Sequence, residues 1–123
     1  MKPVYIASPI QTYWTTRYDD MVRVVGERFG DELQARYLFT SNSQWLDEWP
    51  HTLQNISAVI FFDDETGWIG KGVLKEINDA VQLKIPVYYI DDQFTFHAVD
   101  EFKIEEHVDN PWRRYAEVKI ING

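Results

Sequence analysis

Glu76 is the residue whose type and position in the chain best suit chemistry. It lies in a segment that predicts a helix over residues 70–83, between apolar runs at 58–62 and 85–90. At about 100° per residue, Val73, Ile77 and Ala80 form one apolar stripe. Glu76 falls at the edge of this stripe, away from the polar face. We therefore expect a partly desolvated carboxylate near the carboxyl end of the preceding strand, where open α/β sheets bind ligands.

Other polar residues directly follow predicted strands. Ser8 follows residues 3–7, and Asp63 and Asp64 follow residues 58–62. Because the carboxyl ends of parallel strands meet at one edge of a sheet, we expect these side chains to lie near Glu76. Asp63 and Asp64 could instead serve as helix-cap and turn residues.

The predicted helix starts at Gly70-Lys71-Gly72. Backbone N–H groups of such a turn can contact a phosphate or a ribose, although a flexible turn needs the same glycines. Lys71 opposes the helix dipole, which favours an anionic ligand. Ser8 and Arg17 could also contact a phosphate, but Arg17 could simply occupy a first helical turn.

Aromatic side chains supply possible walls for a base or a sugar. Tyr13 and Trp68 lie in predicted loops at strand ends and are the candidates for such a wall. Trp45 and Trp49 are four residues apart, a spacing more typical of a packing face on a helix.

The histidines have no partner at the spacing of a metal site. His51, His97 and His107 are scattered, and neither a P-loop nor a nucleophile elbow is present. Cysteine is absent, which excludes disulfides and thiolate chemistry. The sequence therefore predicts no metal and no cofactor.

Strand and helix patterns alternate along most of the chain. Strands are predicted at residues 3–7, 36–40, 58–62 and 85–90, and helices at 17–29, 44–49 and 70–83, with Thr16 capping the first and Gly30 ending it. This order predicts a three-layer α/β domain with a mostly parallel sheet of about five strands, Rossmann-like or flavodoxin-like. Residues 94–99 and 116–121 predict a C-terminal β extension: a hairpin, an edge strand or a contact with another subunit.

Composition limits the class of protein. The chain has 123 residues, enough for one domain spanning 1–123. Its net charge of −8 argues against binding duplex nucleic acid. No apolar run approaches the roughly 20 residues of a membrane span, and the start lacks the layout of a signal peptide. We expect a cytoplasmic protein with a small-molecule ligand.

Three segments resemble the nucleoside 2-deoxyribosyltransferase-like superfamily, which includes deoxyribosyltransferases and deoxynucleoside monophosphate N-glycosidases. They are Val-Tyr-Ile-Ala-Ser-Pro at 4–9, Ala-Val-Ile-Phe-Phe-Asp-Asp at 58–64, and the helix at 72–80 with Lys-Ile-Pro-Val at 84–87. The resemblance covers about residues 3–90. It implies the α/β fold predicted above, a nucleoside or nucleotide substrate, and a homodimer or larger assembly.

The resemblance also implies roles for residues. Glu76 would be the nucleophile that attacks C1′ of deoxyribose, as in retaining glycosyl transfer. Asp63 or Asp64 would supply an acid or a hydrogen bond to the base. The substrate contacts would come from the remaining candidates, which are Ser8, Tyr13, Arg17, Trp68, Gly70 and Gly72.

Three functions remain open at this point. The first is an enzyme that cleaves or transfers the N-glycosidic bond of a nucleoside or nucleoside 5′-monophosphate through a glycosyl-Glu76 intermediate. The second is a nucleotide-binding or sensing protein on the same fold that lacks catalysis. The third is a small acidic interaction protein whose α/β domain is only a scaffold.

Overall fold

The computed structural model describes residues 2–110 and 113–121. The strands are β1 (Val4–Ala7), β2 (Glu32–Gln34), β3 (Ala58–Phe61), β4 (Trp68–Gly70), β5 (Val87–Ile90), β6 (Phe96–Ala98), β7 (Phe102–Asn110) and β8 (Arg113–Ile120). The helices are α1 (Thr16–Phe29), α2 (Ala35–Leu38), α3 (Asn42–Leu53) and α4 (Lys71–Gln82), with short 3₁₀ turns at Ile10–Thr12 and Val99–Glu101.

The main sheet has five strands in the order β2-β1-β3-β5-β6. The first four are parallel, and β6 adds an antiparallel edge. This confirms the predicted three-layer α/β fold with a mostly parallel sheet. The chain moves from β1 to β2 on one side and then returns to β3 on the other side of β1. Such a reversal opens a crevice at the carboxyl end of β1, where this class of sheet binds ligands.

Helices cover both faces of the sheet because successive strand residues point to opposite sides. Val4 and Ile6 of β1 pack with Tyr18, Met21 and Val25 of α1. Tyr5 and Ala7 face the opposite way, into a cluster that contains Trp49 of α3 and several residues of α4. That second face is the one that carries the site described below.

A second sheet of three strands has the order β4-β8-β7. Strands β7 and β8 form a hairpin, but residues 94–99 and 116–121 do not pair with each other: β6 is the predicted edge strand and pairs with β5, whereas β8 pairs with β7. Phe102, Ala116 and Val118 are buried in the same cluster as Tyr5 and Trp49. The C-terminal extension is therefore part of the core, and β7 is a strand that the sequence did not predict.

The predictions for residues 36–40 and for the cap of the first helix are wrong. Residues 36–40 are not a strand: the second strand is Glu32–Gln34, and α2 follows it. Thr15 caps α1, since its side chain accepts a hydrogen bond from the Tyr18 backbone N–H. The predicted stop at Gly30 is confirmed, with a φ of 86° that glycine adopts readily.

Helix α3 is longer than predicted and contains Pro50. The Ser41 side chain accepts the Gln44 backbone N–H and so caps the helix, which begins at Asn42, two residues before the predicted start. Trp68, which was expected in a loop, begins β4.

Candidate functional site

A cavity of about 480 Å³ opens at the carboxyl end of β1, between the first turns of α3 and α4. Its size suits a small organic ligand. Five of the predicted site residues line it, namely Glu76, Ser8, Tyr13, Gly70 and Gly72. The other lining side chains include several that the sequence did not single out for a site: Tyr5, Trp14, Arg36, Phe39, Thr40, Asn42 and Trp45.

Glu76 is held in the cavity wall by α4 and is only 5% exposed. Both of its hydrogen-bond donors contact the same carboxylate oxygen, Oε2. The Tyr5 hydroxyl donates one bond, and Trp45 Nε1 donates the other at 3.2 Å. No residue in the described part of the chain donates to Oε1. One oxygen is therefore fixed by the protein, and the other is available to a ligand.

Burial raises the pKa of Glu76 from 4.5 to about 7. The hydrogen bonds from Tyr5 and Trp45 oppose this rise, and the negative charge of Asp79 adds to it. Burial, followed by the charge of Glu76, raises the pKa of Tyr5 far above neutral pH. The Tyr5 hydroxyl therefore remains protonated and acts as a permanent donor to Glu76.

The first turn of α4 lies in the cavity wall. Gly70 precedes the helix without a side-chain cap, and Lys71 and Gly72 follow it along the same wall. Helix N-terminal N–H groups lack intrahelical partners, so they suit an anion. Lys71 makes no hydrogen bond or ion pair with other residues that the structure describes. Its ammonium can therefore reinforce this anion-compatible end of the cavity.

The side-chain hydroxyls of Ser8 and Tyr13 in the wall have no hydrogen-bond partner among the described residues. Ser8 Oγ is buried, and no described residue bonds to it. Tyr13 has its pKa raised to about 12, mainly by burial and then by the charge of Glu76. Both hydroxyls are protonated at neutral pH and can donate a hydrogen bond to a ligand in the cavity.

Arg36 lies at the mouth of the cavity. The sequence assigned it to a strand at 36–40 and not to a site. Its guanidinium donates to the Tyr13 backbone carbonyl and lies 3.2 Å from Asp19 Oδ1. The guanidinium carbon also lies 4.8 Å from the Trp14 ring centre and 4.7 Å from that of Tyr37. Arg36 therefore fixes the loop that carries Tyr13 and Trp14.

The structure places Asp63 and Arg17 outside this cavity, contrary to the expected convergence on Glu76. Arg17 Nη2 lies 2.6 Å from Asp63 Oδ1, and Arg17 Nη1 donates to the Asp63 carbonyl at 2.7 Å. The Tyr89 hydroxyl donates to the other carboxylate oxygen at 2.8 Å. This arrangement joins α1, the end of β3 and β5 with a partly buried ion pair.

Asp64 and Trp68 also lie outside the wall of the large cavity. Asp64 Oδ1 accepts the backbone N–H groups of Thr66 and Trp68, so it stabilises the turn before β4. The ring of Trp68 packs 4.9 Å from that of His107 on the second sheet. These two residues do not line the cavity because the chain after β3 turns away into β4.

Tyr5 and Trp45 are the important contacts that sequence reasoning missed. Tyr5 is the one residue of β1 with a polar side-chain group. Because successive side chains of a strand point to opposite faces of the sheet, Tyr5 lies on the face covered by α3 and α4. Trp45 was assigned to packing. It does pack against that core, and its indole N–H also reaches Glu76.

Comparisons with protein-family models, with curated proteins and with solved structures return no match to this chain. Among the described residues, no helix is both long enough and apolar enough to cross a membrane.

Proposed function

We propose that this protein cleaves or transfers the N-glycosidic bond of a deoxynucleoside or its 5′-monophosphate. The observation that carries the proposal is the carboxylate of Glu76 in the cavity wall, with Oε2 held by Tyr5 and Trp45 and Oε1 left open. A nucleophile needs this combination of a fixed orientation and one free oxygen. The resemblance of residues 3–90 to deoxyribosyltransferases adds support.

In the proposed reaction, Oε1 of ionised Glu76 forms a bond to C1′ of the sugar as the C1′–N bond breaks. The electron pair of that bond leaves with the base, which takes a proton from water. Water, or a second base, then attacks C1′ and loses its proton to solvent, and the bond between C1′ and Oε1 breaks to release Glu76 as a carboxylate. The negative charge of Glu76 stabilises the oxocarbenium-like transition state at both steps.

The remaining wall residues fit the parts of such a substrate. The phenol ring of Tyr13 and the exposed Trp14 offer aromatic surfaces for a base. The first turn of α4 and Lys71 offer an anion-compatible end for a 5′-phosphate. Asp63 and Asp64 lie outside the wall, so the proposal gives neither of them a proton-transfer step.

A panel of nucleosides and nucleoside 5′-monophosphates, with detection of the free base, tests the proposal. The wild type should release base, and Glu76→Ala and Glu76→Gln should lose that activity by about a thousandfold or more, since they remove the nucleophile. Glu27→Gln is the matched control, because Glu27 is an exposed residue of α1. Turnover that survives in Glu76→Ala would exclude the mechanism.

Two further measurements in the same panel define the reaction. Exchange of a labelled free base into a nucleoside identifies a transferase, and release into water alone identifies a hydrolase. Lys71→Ala should raise KM for the monophosphates while leaving the nucleosides unchanged. Equal effects on both substrate classes would argue against a phosphate at α4.

Ligand binding without catalysis is the second candidate. A Glu76 pKa of about 7 means that the carboxyl is partly protonated at neutral pH, so it can both donate and accept hydrogen bonds to a base. Thermal stabilisation by a nucleotide, without base release by the wild type, would favour this function over the first.

A further inference from the structure

The outer face of the β7–β8 hairpin brings together metal-ligating side chains that are far apart in sequence. Glu105 of β7 and Glu117 of β8 are directly opposite each other in the strand register. His107 is two residues beyond Glu105 and therefore projects from the same face. The inner face carries Phe102, Ala116 and Val118 and is buried in the core. The packing of the inner face against the core therefore fixes the backbone that carries these three outer residues.

One potential ligand atom from each residue converges on a small volume. The imidazole and carboxylate atoms of Glu105, His107 and Glu117 all lie within 4.8 Å of one another. His107 Nε2 is 3.4 Å from Glu117 Oε2. Bonds to Zn²⁺ measure about 2.0–2.2 Å for nitrogen and oxygen, so two ligands of a tetrahedral ion lie about 3.4 Å apart. The pair already has that spacing, and Glu105 needs only a side-chain adjustment.

The His107 side chain is 34% exposed, but its Nε2 atom has almost no contact with solvent. This nitrogen is buried and has no hydrogen-bond partner among the described residues, although a carboxylate oxygen lies nearby. The ring packs against that of Trp68 with 4.9 Å between centres. With Nε2 unprotonated, the nitrogen and the nearby carboxylate could bind one cation between them.

We propose that Glu105, His107 and Glu117 form a binding site for a divalent transition-metal ion of the Zn²⁺ class. Two carboxylates and one imidazole supply three ligands, and water completes a tetrahedral set. The imidazole favours such an ion over Mg²⁺ or Ca²⁺, which prefer oxygen ligands alone. The site is separate from the cavity around Glu76 and does not depend on the proposed glycosyl chemistry.

Two lysines compete with the ion for these carboxylates. Lys119 Nζ lies 2.7 Å from Glu105 Oε2 and 3.7 Å from Glu117 Oε2. Lys103 Nζ lies 2.8 Å from Glu105 Oε1. Metal binding must displace Lys119, whose side chain is 44% exposed and can move into water.

Titration of the purified full-length chain with Co²⁺, followed by competition with Zn²⁺, tests the site. The wild type should bind one Co²⁺ and show the visible d–d absorption of a tetrahedral ion. His107→Ala and Glu117→Gln should lose that absorption. His51→Ala is the matched control and should retain it, because His51 lies on the exposed surface of α3.

Lys119→Met separates a metal site from an ion-pair network. Removal of the competing ammonium should tighten Co²⁺ binding severalfold, whereas loss of a purely structural ion pair would not create metal affinity. Far-UV circular dichroism without metal verifies that each variant folds. The proposal is overturned if the wild type shows no tetrahedral Co²⁺ absorption, or if His107→Ala retains it.

Discussion

The two carboxylate oxygens of Glu76 face different surroundings, and this difference defines the candidate site. Oε2 accepts hydrogen bonds from Tyr5 and Trp45, whereas no described residue donates to Oε1. The two donors stabilise the ionised form, but burial outweighs them and the pKa rises to about 7. The protein therefore holds a carboxylate that is costly to ionise and well oriented once ionised.

This raised pKa predicts a pH dependence of stability. Between pH 4.5 and 7 the folded chain keeps a proton on Glu76 that the unfolded chain has lost. The stabilisation from neutral Glu76 is complete below pH 4.5 and is lost as pH rises to about 7. Relative to Glu76→Gln, the free energy of unfolding of the wild type should fall by about 3 kcal/mol across this range.

Urea denaturation of both proteins at a series of pH values measures that difference. Titrations common to the two chains cancel in the comparison. A difference that stays constant, or that grows in favour of the wild type as pH rises, would show that Glu76 is not desolvated in the folded state.

In the proposed enzyme, kcat/KM should rise with pH to a plateau above about 7, because the nucleophile must be ionised.

At the scale of elements, Asp63 acts as a tether between α1 and the sheet. Its carboxylate accepts hydrogen bonds from Arg17 and Tyr89, and its carbonyl accepts another from Arg17. Asp63→Asn should destabilise the fold by about 2 kcal/mol, since it weakens a partly buried charge pair while Asp92 still pairs with Arg17. Thermal or urea denaturation provides the measurement.

Asp92→Asn is the matched control for the tether. The Asp92 side chain is 52% exposed, so its loss should cost less than about 1 kcal/mol. Base release by folded Asp63→Asn should be close to that of the wild type. A large loss of kcat without a loss of stability would return Asp63 to the catalytic role that the resemblance implies.

The order of the elements could be predicted from the sequence, but their exact ends and some partners could not. The apolar runs and helical stripes gave β1, α1, β3, α4 and β5 to within a few residues. The strand prediction at residues 36–40 was wrong because an aromatic-rich run is typical of a strand. In the structure, Arg36 is instead fixed by contacts with Tyr13 and Trp14. Such long-range contacts override local preference and leave no local pattern.

The site could be predicted only in part for the same reason. The helical stripe placed Glu76 near the cavity, and the glycines before it marked the helix start. The donors Tyr5 and Trp45 are separated from Glu76 by 71 and 31 residues, so only the packed layers bring them together. Likewise, the cluster of His107 with Glu105 and Glu117 depends on the hairpin register.

At the scale of the whole molecule, the C-terminal hairpin completes the core. Phe102 is 6% exposed, and its ring meets those of Phe61 and Tyr89 at 5.4 and 6.0 Å. Phe102→Ala should therefore cost about 3–5 kcal/mol of stability. Ile120 is opposite Phe102 in the hairpin but is 40% exposed, so Ile120→Ala should cost far less.

Denaturant unfolding of the two variants distinguishes a core hairpin from an appended one. Similar small losses for both would mean that the hairpin can leave the domain without cost. The expected contrast would instead place the second sheet within the same cooperative unit as the main sheet.

Gly70 ends β4 and also precedes α4 as its N-terminal cap residue. No loop residue therefore separates the strand from the helix. Strand β4 pairs with β8 through Trp68 opposite Glu117 and Gly70 opposite Tyr115. A displacement of β8 along its own axis would thus pull on the first turn of α4. The second sheet is therefore joined directly to the helix that carries Glu76, and the junction itself lines the cavity.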